Sequence, residues 1–358
     1  MNTSAESRLA ALFERIEPVD ATWIDRARAR QLQLTKPPGS LGRLEEIANR
    51  IAAIQATLSP AIERARIVLF ASDHGVCEEG VNPFPQAVTA QMVANFLRGG
   101  AAINVLAGVA AADLEIVDVG VASDIPVAAG LIRRTIARGT RNFCRAAAMS
   151  REETLAAILV GAERADQAAA EGYRLLGIGE MGIGNTTSAS AVAAALTGLP
   201  SASVIGRGTG ADPAGMARKL SAVERGLALH REHLLQPLDI LARLGGFEIA
   251  AMCGVCLGAA SHRCAILVDG FIATAAASVA VACKPAVRDY LFAAHRSTEP
   301  GQAPLLDRIG HVPLLDLEMR LGEGTGAALA IPIVRAAVRA FTDMATFQSA
   351  GVSEAGDG

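Results

Sequence analysis

Behind the break Lys36-Pro37-Pro38-Gly39-Ser40, apolar residues Leu44, Ile47, Ile51 and Ile54 recur every three or four positions, a spacing that predicts a helix and makes residues 1–60 a helical piece. From Ala65 the pattern changes. Ile67-Val68-Leu69-Phe70 is an unbroken apolar run that passes into Ala71-Ser72-Asp73-His74-Gly75, the mark of a buried strand ending in a polar loop. The same strand-then-loop pattern recurs at 114–120, 175–179, 266–272 (with Asp269 inside) and 311–317, with Ala-rich helical stretches such as 188–196 and 221–235 between them. This alternation predicts an α/β fold, a parallel sheet flanked by helices. Ligands of such sheets lie beyond the carboxyl ends of the strands, so the loops after Phe70, Gly120 and Leu176 are expected to converge.

Residues 331–347 return to helical spacing, with Val334, Ala337, Phe341 and Met344 on one face. The expected organisation is a small helical domain from residues 1–60 and 331–352, a large α/β domain over 61–330, and a frayed tail at 353–358. The most apolar run, residues 271–283, is 13 long, short of the roughly 20 that span a bilayer. A cytoplasmic protein with no membrane span is expected. Its six cysteines do not resemble a disulfide scaffold in a chain of 358 residues, so free thiols are expected. The net charge of -3 and 4% aromatic content offer neither a basic stripe nor stacking platforms, which argues against nucleic acid and for small molecules.

Candidate chemistry concentrates in glycine-rich loops. Gly179-Glu180-Met181-Gly182-Ile183-Gly184-Asn185-Thr186-Thr187 and Leu321-Gly322-Glu323-Gly324-Thr325-Gly326 each hold one carboxylate among glycines. Such loops let backbone N–H groups approach a ligand, and a carboxylate inside one suits proton transfer with a basic or cationic group better than an anion. Glu323 also reads as an ordinary acid in a surface turn. Gly177-x-Gly179-x-x-Gly182 has the dinucleotide spacing, but no acid lies between Ser188 and Gly210 to hold a ribose hydroxyl, and Glu180 stands where a pyrophosphate would approach.

Asn185 to Ser188 suit helix capping and also an anion held at a helix N-terminus. Gly206-Arg207-Gly208-Thr209-Gly210, with Lys219 further on, adds glycines and cations for a phosphate cradle. His295-Arg296-Ser297-Thr298-Glu299 reads either as a solvated turn or as a further donor through Ser297. Asp73-His74 lacks a second ligand at metal spacing, so His74 reads as a loop-ordering residue, and Cys253-x-x-Cys256 reads as two small core residues.

Together with Asp73-His74-Gly75-Val76, Gly245-Gly246-Phe247-Glu248-Ile249, the Lys36-Pro37-Pro38-Gly39-Ser40-Leu41-Gly42 segment and His295-Arg296-Ser297, these loops resemble the nicotinate-nucleotide:dimethylbenzimidazole phosphoribosyltransferase family over about residues 36–352. The resemblance implies a Rossmann-like large domain with a small helical domain, a homodimer, and transfer of phosphoribose from nicotinate mononucleotide to 5,6-dimethylbenzimidazole with inversion at C1′. It implies no cofactor and no metal. Glu323 is then the general base and Glu180 a second acid. Gly182, Gly184, Asn185, Thr186, Thr187, Gly206 to Gly210, Lys219 and Ser297 hold the nucleotide phosphate and ribose, and Phe84, Gln91, Met181 and Leu321 line the base pocket. An NAD-dependent oxidoreductase and a non-catalytic ligand-binding protein on the same fold are the alternatives.

Overall fold

The computed structural model of the chain describes residues 4–125 and 128–353. Six strands form one parallel sheet: β1 (Ala65–Ser72), β2 (Asp113–Gly120), β3 (Leu131–Arg133), β4 (Leu175–Met181), β5 (Ala265–Val268) and β6 (Leu291–Ala293), in the order β3-β2-β1-β4-β5-β6. Every residue of β1 is buried, as its unbroken apolar run requires in a sheet covered on both faces. The chain works outward from β1 to β3 and then returns to add β4 on the other side of β1. This reversal opens a crevice at the carboxyl ends of β1 and β4.

The expected convergence of loops occurs there. The Asp73 N–H donates to the Gly120 carbonyl at 2.9 Å, and Asp73 Oδ2 accepts the Ala122 N–H at 2.8 Å, tying the ends of β1 and β2 together. Beyond β4, the Cα of Gly182 packs so closely on the Ser72 carbonyl that a Cβ there would lie 2.4 Å from the oxygen.

Two strand expectations are corrected. The run expected at 266–272 leaves the sheet after Val268, with Asp269 and Gly270 making the turn and Phe271 opening a helix, Phe271–Cys283, whose first ten residues are buried. A continuous apolar run has no periodicity to separate strand from buried helix, and here Gly270 is the break. Residues 311–317 form an extended loop with one isolated bridge, His295 to Leu315, because Pro313 has no N–H to give a ladder. The helix expected from 221 begins earlier, at Pro213, with Asp212 accepting the Gly215 N–H as its cap, and runs to His230.

The helices Ala21–Gln33, Arg43–Gln55 and Thr325–Asp343 pack together, and Arg30 donates to the carbonyls of Phe341 and Thr342 at the end of the last. Thr325–Asp343 runs unbroken through position 331, and Gly324, its cap, separates it from Glu323. The first helix, Ala5–Glu14, lies instead on Arg151–Ala170, where Glu6 pairs with Arg151 at 2.9 Å. Of the tail expected at 353–358, residues 354–358 lie outside the described residues. The six cysteines are free thiols, and Cys253 and Cys256 are fully buried.

Candidate active site

A cavity of about 320 Å³ opens beyond the carboxyl ends of β4 and β5, and both Glu180 and Glu323 line it. Glu180 is the penultimate residue of β4, and Asn185 Nδ2 donates to its Oε2. Glu323 sits between Gly322 and Gly324, and all three residues have positive φ, at 87°, 62° and 86°. A glutamate in the left-handed region costs about 1 kcal/mol, and such strain is kept where the surroundings fix it. Asp269, at the end of β5, does the fixing: its carboxylate accepts the N–H groups of Gly324, Gly326 and Ala327 at 2.7 to 3.1 Å. Among the described residues the Glu323 carboxylate itself has only a long bond from the Ile103 N–H, at 3.4 Å.

These environments separate the two acids. Burial, reinforced by the charges of Glu248, Asp269 and Glu323, pushes Glu180 up to about 8 against the opposing bond from Asn185. Burial and the charge of Asp269 raise Glu323 as well, while the Ile103 N–H opposes the rise. At neutral pH Glu180 is thereby held largely protonated, while Glu323, also raised by burial, keeps a carboxylate that accepts no side-chain hydrogen bond among the described residues. Burial also raises Asp269, opposed by His295 and the three N–H groups it accepts.

Behind the glycine loop, His74 bridges Ser188 (Nδ1 to Oγ, 2.9 Å) and Glu248 (Nε2 to Oε1, 2.7 Å), all of them buried. This is the loop-ordering role expected of His74. The helix Asn185–Thr197 has Gly184 at its cap with no side-chain cap bond, so Asn185 to Ser188 are its first turn and not its cap. Their side chains bind elsewhere: Asn185 to Glu180, Ser188 to His74, and Thr186 Oγ1 to Lys219 Nζ at 3.2 Å.

Of the residues expected at the phosphate, Gly182, Asn185, Thr186, Gly208, Thr209 and Ser297 line the cavity. Gly184, Thr187, Gly206, Arg207, Gly210 and Lys219 do not. Arg207 is exposed, whereas Lys219 is buried behind the lining, where it donates to the Gly206 carbonyl at 2.8 Å and burial lowers its pKa. Of the expected base-pocket residues, Phe84, Met181 and Leu321 line the cavity. Gln91 is exposed, because the helix Val88–Leu97 turns Val88 and Met92, one turn apart, toward the cavity instead.

Four polar lining residues were not expected there: Asp269, His295, Glu299 and Arg320. Asp269 carried a usable signal, an acid directly after a buried apolar run, but the reading that placed it inside a strand hid it. Glu299 and Arg320 reach the site only through the folding of long loops.

A parallel sheet with this strand order, glycine loops at its switch point and two buried carboxylates over one cavity defines an α/β enzyme that handles a nucleotide. The phosphoribosyltransferase family model matches residues 16–352. The chain is 52% identical over 346 residues to the nicotinate-nucleotide–dimethylbenzimidazole phosphoribosyltransferase of Geobacter sulfurreducens, covering 97% of this chain and 98% of that protein. It is 52% identical over 340 residues to the enzyme of the same name from Azotobacter vinelandii, covering 95% and 97%. The crystal structure of nicotinate-nucleotide–dimethylbenzimidazole phosphoribosyltransferase from Thermus thermophilus superposes with a TM-score of 0.88 at 48% identity, over 94% of this chain and 100% of that one. The chain belongs to the nicotinate-nucleotide:dimethylbenzimidazole phosphoribosyltransferase family.

Proposed function

We propose that this enzyme transfers phosphoribose from nicotinate mononucleotide to 5,6-dimethylbenzimidazole, releasing nicotinate and α-ribazole 5′-phosphate for the lower nucleotide loop of cobalamin, with Glu323 as general base. The observation that carries the role of Glu323 is the pairing of two cavity acids, one whose pKa burial raises to about 8 and the other held, among the described residues, only by a long backbone bond. One benzimidazole nitrogen attacks C1′ while the C1′–N bond to nicotinate breaks and its electron pair leaves with the pyridine ring. The proton on the other benzimidazole nitrogen passes to Glu323. The leaving group is already cationic, so its departure requires neither an added acid nor a metal. Attack from the face opposite nicotinate inverts C1′ and converts the β-nucleotide into an α-riboside. Glu180, as a neutral acid, positions the substrates without adding a second negative charge.

Phe84, Val88, Met92 and Leu321 make the apolar end of the cavity and suit a flat aromatic base. Thr186, Thr209 and Ser297 bring hydroxyl groups to the lining for the nucleotide. The helices 21–33, 43–55 and 325–343 form the core of the small unit, which carries Glu323 at its edge. The family resemblance supports a homodimer working in the cytoplasm.

Turnover of nicotinate mononucleotide and dimethylbenzimidazole by the unaltered protein and by Glu323→Gln tests this reading. Release of nicotinate with α-ribazole phosphate, reduced about a hundredfold or more in the variant, is expected. Equal rates in the two proteins would remove Glu323 from the role of base.

A further inference from the structure

The phosphate-side loops hold a carboxylate that the transfer reaction leaves without a task. Glu299 is 6% exposed and lines the same cavity as Glu180 and Glu323. Its Oε1 accepts the Gly208 N–H at 2.8 Å, whereas its Oε2, also buried, has no hydrogen-bond partner among the described residues. The two nearby cations give it no hydrogen bond, although the Lys219 charge acts on Glu299 through space. Lys219 Nζ donates to Thr186 Oγ1 and the Gly206 carbonyl, and Arg320 Nη1 donates to the Gly208 carbonyl at 2.7 Å. Gly206 makes room for the carboxylate, since a Cβ there would lie 2.1 Å from Glu299 Oε2 and 2.8 Å from Pro300 Cδ.

A buried carboxylate oxygen lacking a donor is costly unless a ligand supplies one. A phosphate at neutral pH offers mainly acceptors and a like charge, so it cannot be the partner. Ribose hydroxyls are donors, and two adjacent hydroxyls match the two oxygens of one carboxylate.

We propose that Glu299 receives the 2′- and 3′-hydroxyls of the donor nucleotide and so selects a ribonucleotide. This rests on the phosphoribosyl-transfer reading and adds a sugar-recognition residue to it.

The test compares nicotinate mononucleotide with its 2′-deoxy and 3′-deoxy counterparts as donors, using the unaltered protein and Glu299→Gln. The glutamine carbonyl can still accept the Gly208 N–H, so the loop keeps its bond and only the acceptor for the sugar is lost. The unaltered protein is expected to prefer the ribonucleotide by about tenfold to a hundredfold in kcat/KM over at least one deoxy donor. Glu299→Gln is expected to lose most of that preference through a raised KM for the donor, with the KM for dimethylbenzimidazole and the unfolding temperature unchanged. Glu299→Asp, which keeps the charge but withdraws the oxygens by one carbon, repeats the test if the glutamine variant does not fold. Full retention of the preference in the folded variant would overturn the proposal, as would tighter binding of the ribonucleotide by Glu299→Gln, which would mean that the carboxylate opposes the phosphate. If the unaltered protein releases no nicotinate, the transfer reading fails. Calorimetric binding of the same three nucleotides to both proteins then decides the role of Glu299 by the same criterion.

Discussion

Asp269 Oδ1 accepts the backbone N–H of Gly326 at 2.7 Å, so a residue at the end of β5 caps a helix that begins 56 positions later in the chain, at Thr325. The same carboxylate takes the N–H groups of Gly324 and Ala327, which leaves the loop carrying Glu323 little freedom to move. Helix capping of this kind is worth about 1 kcal/mol, and stranding three buried N–H groups costs more. Asp269→Ala is therefore expected to destabilise the protein by about 2–4 kcal/mol and to reduce nicotinate release at least about tenfold through kcat. Asp269→Asn, which keeps one acceptor oxygen, is expected to fall between the two. Urea unfolding and steady-state turnover of the three proteins check both outcomes.

Glu180 makes stability depend on pH with a definite sign. Its folded pKa, about 8, lies above the 4.5 of an ordinary glutamate, so between these values the native state binds more protons than the unfolded chain. Stability is thus fully present below about pH 4.5 and declines as pH rises through 8. Glu180→Gln copies the protonated acid and can keep its carbonyl toward Asn185, so it removes this decline. The expected result is a Tm above that of the unaltered protein at pH 9, by an amount corresponding to a few kcal/mol, with the difference closing by pH 5. A constant difference across that range would mean that Glu180 does not titrate there.

Much of this site was legible before the fold was known, because glycine loops and isolated acids leave strong local signals. These signals point to Glu180, Glu323, Met181, Asn185 and Thr186, all of which line the cavity, and to His74 as a residue that orders its loop. What was missed depended on distance in the chain or on which face of a helix turns inward. Asp269 works on a loop 55 positions away, Glu299 reaches Gly208 across 91 positions, and Met92 in place of Gln91 was a question of helix rotation. The sheet was read correctly where apolar runs ended in polar loops. It departs from the pattern at 266–272, where the apolar run continues through a Gly-initiated turn into a buried helix, at 311–317, which forms a single bridge, and at the three-residue strands β3 and β6, too short to show a pattern.

Gly322 tests the fit between the two acid loops. It has φ +87°, and a Cβ there would lie 2.2 Å from Glu180 Oε1. Gly172 has the same φ but nothing within 4 Å, so Gly172→Ala incurs only the cost of a left-handed alanine, about 1 kcal/mol. Gly322→Ala incurs that cost and must also displace the Glu180 carboxyl from its place beside Asn185. Turnover is expected to survive in Gly172→Ala and to fall at least about tenfold in Gly322→Ala. Equal loss of activity in the two variants would show that backbone strain alone matters at Gly322.

The crossing of the helices Arg151–Ala170 and Phe247–Ser261 sets helix propensity against packing. Alanine favours a helix over glycine by about 0.8–1 kcal/mol, so an isolated Gly→Ala change in either helix would stabilise it. A Cβ at Gly161, however, would lie 1.8 Å from the Ala251 carbonyl oxygen, and one at Gly254 would lie 1.9 Å from the Ile158 carbonyl oxygen. Both obstacles are helix backbone, which cannot swing aside as a side chain can, so the helices must part. Overpacking of this kind costs about 3 kcal/mol and outweighs the propensity gain. Gly161→Ala and Gly254→Ala are each expected to lower stability by about 2 kcal/mol or more in urea unfolding. Gly108→Ala, on the exposed side of the helix Ala102–Val109 with open space around it, is expected to raise it by about 0.5–1 kcal/mol. The double variant should lose less than the sum of the two single losses, because helices already parted for one methyl admit the second at lower cost. Additive losses would mean that each methyl is accommodated locally and that the two glycines do not set one common helix separation.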